Sequence, residues 1–296
     1  MTLAITLVTP NGVWGSTDHR LTTYPGGRLV TDSSVKHVVI RCHDGSALLS
    51  YTGLGRVGRL DVSEWMRGVL RGQSRTLDET LIDLSQQATA CFGAEAKALG
   101  VFHVFLAGAF LGGEPWAVEI KNLRQPSAFW TGGIHAQFET AAIRVRDSVV
   151  MGAGSGWDAV STKDRELLNK VSNRKPRNPE DFMRLLGDVN QRAADRIKSR
   201  PRSVSRSCTV VFMPPEGDGI QRGWYGPDEE RHLAPVDLSH MLFGIDLGEV
   251  SRTILKDFQD IREGRISDEE FGRRVEKAGK KSVEPKGRHS GDVTPT

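Results

Sequence analysis

Cysteine is scarce in this chain: three residues, Cys42, Cys91 and Cys208, among 296. The count is odd, the spacings are wide and no CxxC pair occurs, which excludes a thiolate metal cluster and a disulfide framework. Cys42 and Cys208 sit in apolar, strand-like runs and are expected as buried thiols in a reducing, cytoplasmic compartment. Long apolar runs are also missing. No stretch approaches the roughly 18–20 residues a membrane helix needs, so no membrane partner is expected. The opening MTLAITLVTPNG is apolar but lacks a basic leader and a long hydrophobic region, so it is expected as a folded strand rather than a signal peptide. An excess of one charge is absent too: 40 basic residues face 37 acidic ones, a net charge of +3. That near-balance gives no general argument for a nucleic-acid partner. One arginine-dense stretch, Arg192 to Arg206, is either a solvated helix end and loop or a basic rim around a site. Internal repeats and low-complexity tracts are lacking, and the 38% hydrophobic content is enough for one sizeable core.

What is present alternates in blocks. Leu3 to Val8 is β-prone, Pro10-Asn11-Gly12 is a turn signal, and Val13 to Ser16 returns as a second strand. A polar connection, Thr17 to Ser34, leads to a strand over Val35 to Cys42. His43-Asp44-Gly45 then turns into Ser46 to Tyr51. The period changes to helical over Arg59 to Leu70 and over Thr76 to Ala98. Strands resume at Phe102 to Phe110, turn at Leu111-Gly112-Gly113-Glu114 and return over Pro115 to Ile120. Ser127 to Trp130 is a short apolar piece, and Ile134 to Val145 fits either period. Ser148 to Met151 reads as a strand and ends in Gly152-Ala153-Gly154-Ser155-Gly156. Helices are expected over Trp157 to Val171 and Pro179 to Lys198, the second opened by Asn178-Pro179-Glu180-Asp181. Strands over Ser203 to Met213 and Ile220 to Tyr225 close the pattern.

Strands, two helices, strands, two helices, strands do not make βαβ alternation. The order predicts an α+β fold: two antiparallel sheets face to face, with a helix pair covering each outer face. Composition shifts after Phe243, so residues 1–243 are expected as the main domain, 244–279 as a C-terminal helical extension and 280–296 as a disordered tail.

Thr2 is small enough for the preceding Met1 to be cleaved. Removal would leave a hydroxyl and an α-amine on one residue. The amine, with an intrinsic pKa near about 8, can act as base for the hydroxyl. A threonine at position 2 is equally an ordinary strand start. The Gly152 to Gly156 turn is a candidate phosphate cradle, but it lacks GK[ST] and the third-glycine spacing of dinucleotide folds.

The stretch Asn11-Gly12-Val13-Trp14-Gly15-Ser16-Thr17-Asp18-His19-Arg20 resembles the signature of proteasome β-subunits and their bacterial relatives, which are N-terminal-nucleophile hydrolases. There a nucleophile strand turns at glycine, returns, and presents Asp-x-Arg, here Asp18-His19-Arg20. The resemblance runs from about Thr2 to Tyr225 and implies a four-layer αββα sandwich. Thr2 is then the nucleophile. Asp18 holds a lysine ammonium or the α-amine, and Arg20 holds Asp18 and the loop through a forked ion pair. Lys36, just before the third strand, supplies positive charge beside the hydroxyl. Gly53, in Ser50-Tyr51-Thr52-Gly53-Leu54-Gly55, matches the glycine whose backbone N–H stabilises the oxyanion. Ser155 matches the serine that relays the proton. The family also carries an aspartate three residues before a late serine. In Arg202-Ser203-Val204-Ser205-Arg206-Ser207-Cys208, Ser205 or Ser207 matches the serine and no aspartate stands before it.

The resemblance implies hydrolysis of a peptide or amide substrate, needing no metal and no organic cofactor. It also implies a homo-oligomeric ring, in some relatives working with an ATP-dependent unfoldase. Trp65, Met66 and Trp157 are candidate apolar contacts for such assembly, or core residues. Two alternatives stay open: a non-catalytic scaffold or regulatory subunit of the same fold, and an amidase acting on a small amide.

Overall fold

The turn at Pro10-Asn11 folds the first two strands onto each other. The Thr9 hydroxyl receives the Asn11 amide at 3.1 Å and donates to the Gly12 carbonyl at 3.3 Å, closing the loop locally. The strands β1 (Ala4–Thr9) and β2 (Gly12–Asp18) pair from Thr9↔Gly12 to Ala4↔Thr17. In this computed structural model all residues are described except 1, 23–27, 59, 73, 125–131, 173–177, 198–203, 218, 234–239, 264 and 284–296.

Two short strands, β3 (Leu21–Thr22) and β4 (Leu29–Thr31), lie within the connection expected to be irregular. The next hairpin is β5 (His37–Arg41) and β6 (Gly45–Thr52). A small ladder, β7 (Arg56–Val57) and β8 (Leu60–Asp61), precedes α1 (Val62–Leu70). The helix therefore starts three residues later than its periodicity suggests, because the Asp61 carboxylate caps it by accepting the Glu64 amide at 3.1 Å. A reciprocal capping box, Thr76 with Glu79, opens α2 (Leu77–Ala88). The helix runs through a π-helical turn (Thr89–Gly93) into α3 (Ala94–Ala98). A hairpin follows, β9 (Val104–Leu111) and β10 (Glu114–Arg124), whose turn glycines Gly112 and Gly113 hold φ of 58° and 81°.

The segment that fits either period is a strand, β11 (Gly133–Arg144), followed by β12 (Val149–Ala153). The single helix expected over Trp157 to Val171 is two, α4 (Ser155–Asp158) and α5 (Thr162–Ser172). Ser161 divides them, its hydroxyl capping the second through the Asp164 amide at 3.1 Å. Next come α6 (Pro179–Arg196), capped by Asn178, then β13 (Cys208–Met213) and β14 (Gln221–Tyr225). The chain ends in β15 (His240–Leu242), β16 (Ile245–Asp246), α7 (Leu247–Arg262) and α8 (Asp268–Val283). The apolar piece expected at Ser127 to Trp130 lies outside the described residues.

Two sheets carry the architecture. One has the order β12-β1-β2-β13-β14, the other β11-β10-β9-β6-β5-β15-β16. All neighbours are antiparallel except β15, which pairs parallel with β5 from His240↔Val39 to Leu242↔Arg41. Strand alternation sorts the side chains into three cores. Ala4, Val8, Val13, Leu48, Leu106 and Val211 form one cluster contributed by both sheets. Ile5, Leu7, Trp14 and Val210 pack with Phe182, Leu186 and Val189 of α6. Leu49, Tyr51, Phe105 and Ala107 pack with Trp65 and Met66 of α1 and Leu81 and Leu84 of α2. Trp65 and Met66 are thus core residues, not surface contacts. The indole N–H of Trp14 donates to the Pro179 carbonyl at 3.1 Å and its ring meets Phe182 edge-on, fixing the start of α6 on its sheet.

The sheet does not stop at residue 243, where composition shifts. The β15–β16 hairpin straddles it, and buried Asp246 receives two N–H groups of Arg71 at the C-terminal end of α1. A short backbone pairing is too brief to leave a compositional mark. The helical order also continues past 279: Lys280 to Val283 are the last turn of α8, with Ser282 buried. Cys42 and Cys208 are buried and Cys91 partly so, all as free thiols.

Candidate active site

Thr2, two residues before β1, is held from three sides. The Gly156 amide donates to the Thr2 carbonyl at 3.2 Å. Gly154 has φ +87°, and a Cβ there would lie 2.0 Å from that carbonyl oxygen, so only glycine lets the turn pass so close. The Leu3 amide donates to Asp18 Oδ1 at 2.9 Å, at the end of the β1–β2 ladder.

Lys36 enters from the start of β5. Its Nζ donates to Thr2 Oγ1 at 3.0 Å, to Asp18 Oδ1 at 3.0 Å and to the Arg20 carbonyl. Lys36 and Asp18 are both fully buried. Burial pushes the ammonium below its ordinary pKa, and the Asp18 carboxylate opposes that fall. Asp18 is saturated with donors. Its Oδ2 accepts the Arg20 amide at 3.0 Å and the Ser205 amide at 3.2 Å.

The structure brings Lys36 into direct contact with both Thr2 and Asp18 and places Gly53 and Ser155 with Thr2 on the wall of one cleft of about 360 Å³. The Ser155 hydroxyl is buried with no hydrogen-bond partner among the described residues. Arg20 differs from expectation. Its guanidinium forks onto Asp32, Nε to Oδ1 at 2.6 Å and Nη2 to Oδ2 at 3.2 Å, and Asp18 is met by its backbone N–H. The reason is geometric: the Arg20 side chain leads toward the returning connection, and Asp32 sits there. Met1 lies outside the described residues.

Ser205 of the two late serines reaches the site. Its hydroxyl accepts the His19 amide at 3.1 Å, while its own amide binds Asp18. Asn190 on α6 holds the stretch by donating to the Ser205 carbonyl at 3.1 Å. These polar backbone contacts delay β13 to Cys208, five residues after the expected strand start. Trp157, a candidate for assembly or core packing, lines the cleft instead; Thr22, Arg56, Phe102 and Asp158 line it too and were not singled out as site residues. His19, in the middle of Asp-x-Arg, points into the sheet interface with Nε2 2.8 Å from Thr209 Oγ1. In the arginine-dense stretch, Arg192 and Arg196 both bind Asp164 of α5, and Arg206 binds Asp195. No group of three or more His, Cys, Asp or Glu among the described residues could hold a metal.

Exchanging Asp18 for alanine leaves the Lys36 ammonium buried without its counter-ion, and should cost about 3–5 kcal/mol. For a chain of this size that is roughly 10 °C in melting temperature, read by calorimetry. A double variant, Lys36→Met with Asp18→Asn, should recover most of that loss. Equal melting temperatures for the Asp18→Ala protein and the wild type would refute the assignment of a buried pair.

Arranged this way, the hydroxyl has a cation 3.0 Å away, a glycine-rich wall beside it and open volume in front. A nucleophilic attack on a carbonyl needs those three things. No protein-family model matches the sequence, and no curated protein matches it either. Solved structures do. Anbu, an ancestral β-subunit from Yersinia bercovieri, aligns with a TM-score of 0.52 at 14% identity over 76% of this chain and 88% of that one. The helical assembly of the Anbu complex from Pseudomonas aeruginosa aligns with a TM-score of 0.51 at 14% identity over 90% and 97%. A likeness at this identity is one of fold: the chain shares the fold of these Anbu structures.

Proposed function

We propose that this chain is a threonine-type N-terminal-nucleophile hydrolase with a four-layer αββα sandwich, cleaving peptide or amide bonds through an acyl-enzyme on Thr2. The observation that carries the reading is the buried triad of contacts at Lys36 Nζ, 3.0 Å from both Thr2 Oγ1 and Asp18 Oδ1. A lysine fully desolvated between a hydroxyl and a carboxylate is an arrangement that packing alone does not require.

Hydrolysis of the Met1–Thr2 bond first frees the α-amine. Thr2 Oγ1 then attacks the substrate carbonyl carbon while its proton passes to that amine. Lys36 lowers the charge cost at the oxygen, and Asp18 holds Lys36 in place. The Gly53 N–H stabilises the oxyanion. The C–N bond breaks as the amine returns its proton to the departing nitrogen, leaving an ester on Thr2. Water attacks the ester, the acid leaves, and the proton returns to Oγ1. Arg20 keeps the loop in register through Asp32, and Ser155 relays the proton.

Residues 1–243 are proposed as the hydrolase unit and 244–279 as an extension moored to it by the β15–β16 hairpin. Of the expected tail, residues 284–296 lie outside the described residues. A cytoplasmic location, a homo-oligomeric ring and an ATP-dependent unfoldase partner complete it, supported by the fold shared with Anbu structures. The second reading, a scaffold or regulatory subunit, is favoured by one feature: no aspartate stands in 202–208. Amidase activity on a small amide uses the same chemistry.

Intact-mass analysis after exposure to a threonine-directed β-lactone tests the proposal. The expected result is loss of Met1 and one adduct on Thr2. A chain that keeps Met1, or loses it and takes no adduct, supports the scaffold. Panels of peptides and small amides then separate peptidase from amidase.

A further inference from the structure

Directly beneath the turn that carries Gly53 lies His103, fully buried and one residue before β9. Its Nδ1 is 3.1 Å from the Leu54 amide nitrogen. An amide N–H can only donate, so Nδ1 bears the lone pair and the proton is on Nε2. That Nε2–H is buried and has no hydrogen-bond partner among the described residues. Around the imidazole stand aromatic rings: Tyr51 stacked at 5.7 Å, Phe105 at 4.8 Å, Phe92 at 5.1 Å and Phe138 at 5.7 Å.

A phenylalanine would fill that cage without stranding a buried donor. What the histidine offers in exchange is an acceptor aimed at the Gly53–Leu54 turn. The neighbouring backbone agrees. Gly53 has φ +113°, and a Cβ there would lie 2.7 Å from His103 Cα and 2.8 Å from its Nδ1, so the turn rests on the imidazole. His103 is itself fixed from behind: its amide donates to Asn122 Oδ1 at 2.8 Å, and Asn122 Nδ2 donates to the Val101 carbonyl at 3.1 Å. The π-helical turn Thr89–Gly93 carries Phe92 into the cage, and Gly93 lies so close to β11 that a Cβ would be 1.8 Å from the Ala136 carbonyl oxygen.

We propose that His103 is a positioning residue that accepts the Leu54 amide and so sets where the Gly53 N–H stands relative to the nucleophile; as a catalytic role this rests on the Thr2 reading above. The aromatic cage keeps the imidazole neutral, so the acceptor is present near neutral pH. Burial holds its pKa at about 3.

Three proteins test it: wild type, His103→Phe, which keeps a ring and loses the acceptor, and His103→Asn, whose Oδ1 stands where Nδ1 stood. The readouts are the maximal rate and half-saturation concentration of Thr2 labelling by a β-lactone, and hydrogen exchange at the Leu54 amide. His103→Phe should slow maximal labelling by about tenfold to a hundredfold, less than removal of an oxyanion donor itself, with half-saturation within about twofold. Leu54 exchange should quicken about tenfold, and His103→Asn should restore most of both. Wild-type labelling and protection in His103→Phe would overturn the proposal, as would equal losses in both variants. If the wild type takes no adduct at Thr2, the nucleophile reading falls, and Leu54 exchange alone decides whether His103 holds the turn. If His103→Phe does not fold, ¹⁵N spectra of the wild-type imidazole decide: Nδ1 unprotonated from about pH 5 to 8 supports the proposal, and an Nδ1–H ends it.

Discussion

A Thr2→Ala protein is expected to fold as the wild type does and to lose at least about a thousandfold in turnover, with no covalent labelling at its N-terminus. The fold should survive because Thr2 precedes the sheet. The β1 ladder begins at Ala4, and the amides of Leu3 and Gly156 bind atoms the substitution leaves alone. Lys36 loses one of three acceptors and keeps Asp18 and the Arg20 carbonyl. The loss in rate follows because no other hydroxyl touches that ammonium among the described contacts. Thr2→Ser, which keeps the oxygen, should still be labelled. Activity and labelling that persist in Thr2→Ala would place the chemistry elsewhere.

Stability is expected to fall steeply between about pH 6.5 and 5. His19, His37 and His103 are buried, and burial is the first cause that lowers each pKa, to about 3 for His19 and His103 and well below the ordinary value for His37. Lys36 and then Arg222 lower His19 further, and Arg222 acts next on His37. The folded chain therefore keeps these rings neutral while the unfolded chain binds protons near pH 6.5. The stabilisation is complete above that value and is lost as pH falls toward about 3. At pH 5 the difference amounts to about 2 kcal/mol for each ring, or up to about 6 kcal/mol for the three. Urea midpoints at pH 7.5 and 5 would show it, and His19→Gln should remove about a third. Glu249, whose carboxylate is held near about 2 against burial by Lys281 and Arg252, acts only below its ordinary range and leaves the window clear. An unchanged midpoint at pH 5 would mean that the rings are not sealed.

Hairpins were legible because their turns are chemical statements. Pro10-Asn11-Gly12 and Gly112-Gly113 each specify a backbone path, and Asn178-Pro179 specifies where α6 begins. Thr2, Asp18 and Lys36 were brought forward by the resemblance rather than by local pattern, and Lys36 Nζ lies against the other two. β11 was ambiguous because Ala136, Ala141 and Ala142 suit either period, and because its far half is exposed on both faces, which erases alternation. The fork of Arg20 was misread because Asp32 is twelve residues away, beyond anything a local motif states. His103 left no signal at all, for its meaning depends on a turn fifty residues earlier.

The parallel pairing of β15 with β5 bears on the order in which this protein is made. β5 opens directly after Lys36 and is completed early in synthesis, while its outer neighbour is encoded about two hundred residues later. Until His240 to Leu242 leave the ribosome, the strand that anchors the site's lysine has a bare edge, open to pairing with any other nascent strand. The last short strand is therefore a closing seam. A chain cut before it would carry every residue of the proposed chemistry and still lack the border that keeps its sheet to itself.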